Sequence, residues 1–374
     1  MLALARTQSL RKMLLLYLAP PPPVAQTCRT TCSDSSSRPR SPTRPRSPTR
    51  PRHQTKRKVA LLVAYDGAGY HGLQRNRHVQ TISDVLETAL HRSHAIASYN
   101  VGALQKVQWQ LAARTDRGVS AAGNVISAKL LFSRDELHHG NALRLTASRV
   151  QQQLPSHVHL LDIARVTQSF SARACCSHRW YEYMLPTSAL QGASILSFHN
   201  ALRQYEGAHH FHNFTVGMDH CIPPRSQARR FVMHCACDLH PVQLPHPSTQ
   251  YLRIRVRGQS FMLHQIRKMV SLALLTCLHQ VPSDAIPRAL HPATLVNIPP
   301  APPTGLFLDC CHFDWYNNRH AAVLPQPLSL STYDAQRELF KRNYIFPSIA
   351  RRAMQDDSMS IYFRTVEAHP VQFH

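Results

Sequence analysis

Asp116 stands between Arg114 and Arg117 in the stretch LAARTDRGVSAAGNVISAKL, residues 111–130. Cations on both sides favour the ionised carboxylate. A carboxylate so held can serve as a nucleophile, as a base, or as half of a structural ion pair. Gly118, Ser120, Ala121, Ala122 and Gly123 follow, and small side chains leave room for a substrate backbone to come close. A second group of interest is Arg267, at the edge of an apolar stripe in SFMLHQIRKMVSLALLTCLHQV. A half-buried cation asks for an anionic partner, and Asp116 is a candidate. Third, YLRIRVRGQ alternates Leu252, Ile254 and Val256 with Arg253, Arg255 and Arg257. That pattern gives a strand one apolar face and one basic face, the footprint expected of a nucleic-acid surface.

These residues need elements to position them. VALLVAY (59–65), ended by Asp66-Gly67, reads as a strand and turn, so folding is expected to begin near Lys58. TISDVLETALHR opens with a Thr81/Asp84 capping box, and Ile82, Val85, Leu86, Ala89 and Leu90 make an amphipathic helix. Gly123–Phe132 reads as a strand, ALRLTASRVQQQL as a helix closed by Pro155, and HVHLLDIARV and SHRWYEYMLP as strands. The stretch around Arg267 reads as one long helix with Met262, Ile266, Met269, Val270 and Ala273 on its apolar side. Helices and strands without strict alternation point to an α+β fold with an antiparallel sheet.

The 374 residues suffice for one large domain or two ordinary ones, and 43% apolar residues support a core. The formal net charge of +23 favours polyanions, nucleic acid first. Residues 1–58 hold thirteen Lys and Arg against Asp34 alone, +12 of the total, so the remainder still carries +11. Residues 20–57, with RPRSPT twice in tandem, cannot bury apolar area and read as a disordered linker. The first twenty residues, basic, Leu-rich and free of acids, suit a mitochondrial transit peptide, with the nucleus as the alternative. A secretory signal fits less well. The ten cysteines, several adjacent, do not resemble a disulfide framework or a zinc ribbon. No apolar run reaches the length of a membrane span, and no membrane partner is expected.

Several motifs occur in a fixed order: YDGAGYHGLQ (65–74), AARTDRGVSAAGNVIS (112–127), HRWYEY (178–183), YEGAHHFHNFT (205–215), RGQSFMLHQIRKMV (257–270) and APPTGLFLD (301–309). Together they resemble the tRNA pseudouridine synthase family of the TruA type, over residues 58 to about 316. The style of GYHGLQRN and the tail 338–363 are similar to the eukaryotic nuclear and mitochondrial branch. The resemblance implies two pseudo-symmetric halves sharing a central antiparallel sheet, with a basic RNA-binding cleft and helices on the outer face. It divides the chain into a targeting and linker segment (1–57), an N-terminal catalytic half (58–165), a C-terminal half (166–330) and a tail packing on the core (331–374).

The resemblance also implies roles. Asp116 matches the catalytic aspartate, which attacks or deprotonates the target ribose. Tyr181 matches the tyrosine that stacks on the target base. Arg267 matches the arginine that pairs with the aspartate. Arg114 matches the arginine that helps hold the flipped nucleotide, and Arg117 and His264 are placed with it as substrate-binding residues. Tyr183 is expected in the core. Trp180 departs from the family pattern and is expected to affect RNA entry. HHFHNF (209–214) becomes a packing and RNA-facing segment with no metal. The partners implied are tRNA and other structured RNA. No cofactor is expected, and a monomer is expected where bacterial relatives are dimers. The rival is a catalytically inactive RNA-binding assembly factor or tRNA chaperone on the same fold.

Overall fold

The structure, a computed structural model, describes residues 54–216, 228–244 and 249–373. The targeting and linker reading of residues 1–57 therefore falls outside the described residues except at 54–57. In chain order the strands and main helices are β1 (Gln54–Tyr65), α1 (Ile82–Arg92), β2 (Gln110–Leu111), β3 (Ser120–Ser133), α2 (Ala142–Gln151), β4 (Val158–Arg165), β5 (His178–Pro186), α3 (Ile195–Arg203), β6 (Gly207–His210), β7 (Arg229–Cys237), β8 (Val242–Gln243), β9 (Gln250–Gly258), α4 (Gln265–Cys277), β10 (Leu306–His312), α5 (Asp334–Phe340), α6 (Phe346–Gln355) and α7 (Ser358–Ala368). A π-helical turn, Lys341–Ile345, joins α5 to α6.

One sheet runs through both expected halves in the order β4-β1-β3-β10-β5-β9-β7-β6, with β2 on β3 and β8 on β9. Arg50–His374 form one compact unit. Among the described residues the sheet is antiparallel at every junction but one. β10 lies parallel to β3, with Phe307 opposite Ser120 and Leu308 opposite Ala121. The sheet is therefore mixed. A parallel pair needs a long crossover, and no local pattern in either strand announces it. β1 starts at Gln54, ahead of the expected Lys58, because Gln54–Arg57 find ladder partners in Leu130–Ser133 despite lacking an apolar pattern.

Val59–Val63, Leu86, Ile126 and Ile163 pack in one core cluster, and Tyr183, Ile254, Val256, Met269 and Leu272 in another. The clusters do not divide at the expected boundary, since Leu308 and Phe313 belong to the first and Val119 to the second. The capping box forms as read: the Thr81 hydroxyl accepts from the Asp84 amide, and the Asp84 carboxylate accepts from the Thr81 amide. The stretch around Arg267 is shorter than expected, because His264 sits at φ +62° and the helix begins only at Gln265. Nor is α4 amphipathic. Nearly all its residues are buried, with Ser271 bonded to Tyr362 of α7 at 2.7 Å.

Helices cover both faces of the sheet. α4 packs on the face of Tyr183 and Ile254. Phe340, Ile345 and Ile349 pack on the other face, against Met184 and Phe307. On that second face lies a buried ion network. Lys341 Nζ reaches Asp309 at 2.7 Å, Glu338 at 2.6 Å and Glu182 at 3.5 Å, and Arg337 reaches Asp309 at 2.8 Å. Burial pushes both carboxyls up. Lys341 and Arg337 more than offset this at Asp309, which lies below its ordinary range, while Glu182 stays raised. Among the described residues no helix is long and apolar enough to cross a membrane.

Two measurements test this packing. Lys341→Met leaves buried carboxylates without their shared cation and should cost about 3–5 kcal/mol in urea unfolding at neutral pH. His178, stacked on His312 at 4.2 Å, is held at a pKa of about 4, by burial first and then by His312 and Arg257. Asp314, 3.2 Å away, opposes this, but its carboxylate is 61% exposed and screened. The unfolded chain then binds the proton more readily. The stability due to His178, about 3 kcal/mol, is complete above about pH 6.5 and is lost as pH falls toward 4. Unfolding curves across that window should show the loss, and His178→Asn should flatten it.

Candidate active site

Asp116 sits in a loop fastened from several sides. Val119 N donates to Asp116 O at 3.1 Å and closes a turn through Gly118, whose φ is +74°. The Thr115 hydroxyl meets the buried Tyr65 hydroxyl at 2.8 Å, and the Thr115 carbonyl accepts from Leu73 N at 3.2 Å. Gly72 is required there, since a Cβ would lie 2.6 Å from the Thr115 carbonyl. Asn124 on β3 accepts from Ala113 N and donates to Ala113 O. Arg352 of α6 donates to Gly118 O at 2.8 Å.

A cleft of about 510 Å³ opens beside this loop. It brings together five of the six expected site residues: Asp116, Tyr181, Arg267, Arg114 and His264. Tyr181 projects from β5 with its ring 5.5 Å from Phe261 at 87°. Burial raises the phenol well above its ordinary value, so it stays neutral at physiological pH. His264 holds the left-handed conformation at the head of α4, a strained position of the kind found at functional sites. Burial first, then Arg267, lowers its pKa, which favours the neutral imidazole. The N-terminus of α4 faces the same cleft and favours an anion there.

Asp116 itself makes no side-chain hydrogen bond or ion pair among the described residues. The expected pairing with Arg267 takes another form. Arg267 Nε donates to Ala301 O at 2.6 Å, and the guanidinium acts on Asp116 through space. Burial lowers the Arg267 pKa, with Tyr183 and Asp116 opposing. Arg114 is exposed on the cleft rim. Arg117 is the exception. The turn at Gly118 sends it into a separate hollow of about 460 Å³ with Tyr70, His71, Arg351 and Arg352, away from the cleft.

Other expectations are corrected by the alternation of side chains along strands. Glu182 faces the Lys341 network, and Arg255 lies opposite Glu182, so Arg253, Arg255 and Arg257 occupy the face turned away from Tyr181. Arg253 and Arg255 share Asp238, and Arg257 lies over Trp180 at 5.7 Å. Neither that basic strand nor Trp180 lines the cleft. The small residues after Asp116 make room for protein and not RNA. A Cβ on Gly118 would meet Arg352, one on Gly123 would meet Arg337, and Ser120, Ala121 and Ala122 are buried in β3. In HHFHNF, His212 Nε2 contacts Thr294 O at 2.8 Å, and Lys268 of α4 donates to the carbonyls of Asn213 and Thr215.

Residues 201–314 match the family model described as tRNA pseudouridine synthase. The chain is 35% identical to a mouse (Mus musculus) protein named pseudouridylate synthase 1 homolog, over 84% of this chain and 74% of the relative. It is 34% identical to the human (Homo sapiens) protein of that name, over 83% and 73%. It is 30% identical to tRNA pseudouridine synthase 1 of Kluyveromyces lactis, over 83% and 70%. The chain belongs to the tRNA pseudouridine synthase family.

Within this pseudouridine synthase fold, Arg179 is the residue that sequence reasoning missed. It lies two positions before Tyr181 on β5 and so on the same face. Its guanidinium is spent wholly on carbonyls: Nε and Nη2 donate to Ala112 O at 3.1 and 2.7 Å, and Nη1 to Gln259 O at 2.5 Å. Longer contacts run to Cys176 and Arg173. One side chain thus joins the loop of Asp116 to the loop leading to His264 and Arg267. The HRWYEY motif contained the signal, since an arginine in register with Tyr181 has to face the cleft.

Arg179→Lys keeps the charge but loses the fork. It should destabilise the protein by about 1.5–3 kcal/mol in urea unfolding. Hydrogen exchange at residues 113–118 should accelerate in the same variant.

Proposed function

We propose that the protein converts uridines in tRNA to pseudouridine in the cleft of Asp116. The observation that carries this reading is the convergence of an unpaired carboxylate, a neutral tyrosine and a half-buried arginine on one cleft in a member of this family. A uridine inside RNA has to leave its stack to reach Asp116. Tyr181 and the edge-on Phe261 give the extruded base an aromatic wall, a contribution of about 1–3 kcal/mol. Because its phenol is neutral, Tyr181 serves as stacking surface and hydrogen-bond donor. Arg267, the head of α4 and Arg114 favour the phosphate and sugar side of the nucleotide.

Asp116 attacks or deprotonates the ribose as the N1–C1′ bond breaks. The detached uracil turns, and C5 bonds to C1′ as the Asp116 carboxylate leaves C1′ or returns the proton it took from the ribose. C5 then gives up its proton while N1 takes one, so atoms and electrons balance without an outside oxidant or reductant. The reaction needs no organic cofactor. With α5 and α6 over the far face of the sheet, we read the working unit as a monomer.

Tritium release from tRNA labelled at uridine C5, with the full-length protein, tests the reading. The parent should release tritium, and Asp116→Asn should release about 10⁴-fold less or slower still while binding tRNA alike. Binding without release by the parent, across tRNA from several compartments, would replace the synthase with an RNA chaperone.

A further inference from the structure

Next to the catalytic cleft lies a larger groove of about 990 Å³, which shares Leu111, Arg114 and Arg173 with it. Its lining is unusual for a chain of this charge. Gln74, Gln105, Gln108, Gln110 and Gln168 all line it, and all five are exposed. None of their side-chain amides makes a hydrogen bond among the described residues. Arg114 and Arg173 stand exposed where the groove meets the cleft, and the other two cations of its lining are engaged. Arg75 is engaged by Asp84 and by both carboxylate oxygens of Glu87, and Lys58 Nζ donates to the Gln108 carbonyl at 3.1 Å. Outside that junction the wall presents no unengaged cation among the described residues and is rich in free donor–acceptor pairs.

The wall is also built to hold its shape. Glu87 accepts from Gly102 N at 3.0 Å, and Trp109 N donates to Leu104 O at 3.2 Å. Gln108 is held at φ +54°, a conformation that a non-glycine residue adopts at a cost. β2 then pairs Gln110 with Ser127.

A phosphate-tracking surface would present free cations along its length and not only at the junction with the cleft. Primary amides instead match base edges, offering two donors and an acceptor in one plane. Sequence in RNA is read on exposed base edges of unpaired nucleotides. We propose that this groove reads the bases flanking the extruded uridine, with Gln105, Gln108 and Gln110 setting sequence preference. The proposal rests on the synthase reading, which supplies the RNA strand running through Arg114 into the groove.

The test uses full-length protein and short RNAs that carry the target uridine with each of the four bases on either side. Tritium release gives kcat/KM, and filter binding at several salt concentrations gives affinity and its salt slope. The parent should prefer some flanking bases. In Gln105→Ala/Gln110→Ala the spread among RNAs should shrink by about 5- to 100-fold, with the salt slope unchanged. The isosteric Gln105→Glu/Gln110→Glu, which spares the packing, should move the preference toward bases that present a donor, such as cytosine. The proposal is overturned if the parent shows no flanking preference, or if both variants keep it. It is also overturned if binding weakens uniformly with a shallower salt slope, which would mark a phosphate track. A parent that binds these RNAs but releases no tritium would defeat the synthase reading alone, since the spread in affinity still reports on the groove.

Discussion

The site depends on a parallel seam two residue pairs long. Phe307 and Leu308 of β10 lie beside Ser120 and Ala121 of β3, and Leu308 also faces Tyr181 of β5. Asp116 precedes β3 by a single turn, so the seam sets how the carboxylate ahead of β3 meets the tyrosine of β5. Everything else around the loop fixes what the seam brings together. Arg179 holds the loop at Ala112, Tyr65 at Thr115 and Arg352 at Gly118, from three different parts of the chain. Preorganisation of this kind costs nothing at the moment of reaction, and it is where an enzyme gains most from its fold.

The electrostatics of the cleft come from placement more than from contact. Among the described residues Asp116 has no hydrogen-bonded cation, yet Arg267, the head of α4 and Arg114 all face the same space. A carboxylate locked in a bidentate pair would be a poor nucleophile and a poor base. One left open beside a cation at a distance keeps its lone pairs free for the substrate. Arg267 itself is steadied by Ala301 O, so it can supply field without closing over Asp116.

Local pattern was legible and direction was not. The capping box of α1, the alternation of β9 and the burial of Tyr183, whose hydroxyl donates to Pro302 O at 2.8 Å, follow from spacing alone. The grouping of Asp116 with Tyr181 and Arg267 came from the family resemblance, whose motifs carry them as a set. What spacing could not give is which face of a strand meets the substrate. Arg253, Arg255 and Arg257 alternate as a basic face should, but long-range pairing turns that face toward Asp238 and Trp180. Arg117 is next to Asp116 in sequence, but the turn that follows it at Gly118 leaves its side chain in another hollow. The β3–β10 seam and the carbonyls around Arg179 join residues far apart in sequence and leave no local periodicity to read.

The Lys341 network bears on how the protein is made. Glu182 and Asp309 lie in strands at the heart of the sheet, and the cation that makes their burial tolerable arrives later in the chain. As the chain leaves the ribosome, β5 and β10 can pair, but that side of the sheet holds two carboxylates that resist being covered. Domains otherwise tend to fold as soon as they emerge. Until residues 337–341 are present, those carboxylates have no cation to cover them, and α6 beyond carries Arg352, which reaches the loop of Asp116 at Gly118. A nascent chain cut short before that point would carry Asp116 and Tyr181 but not the finished cleft.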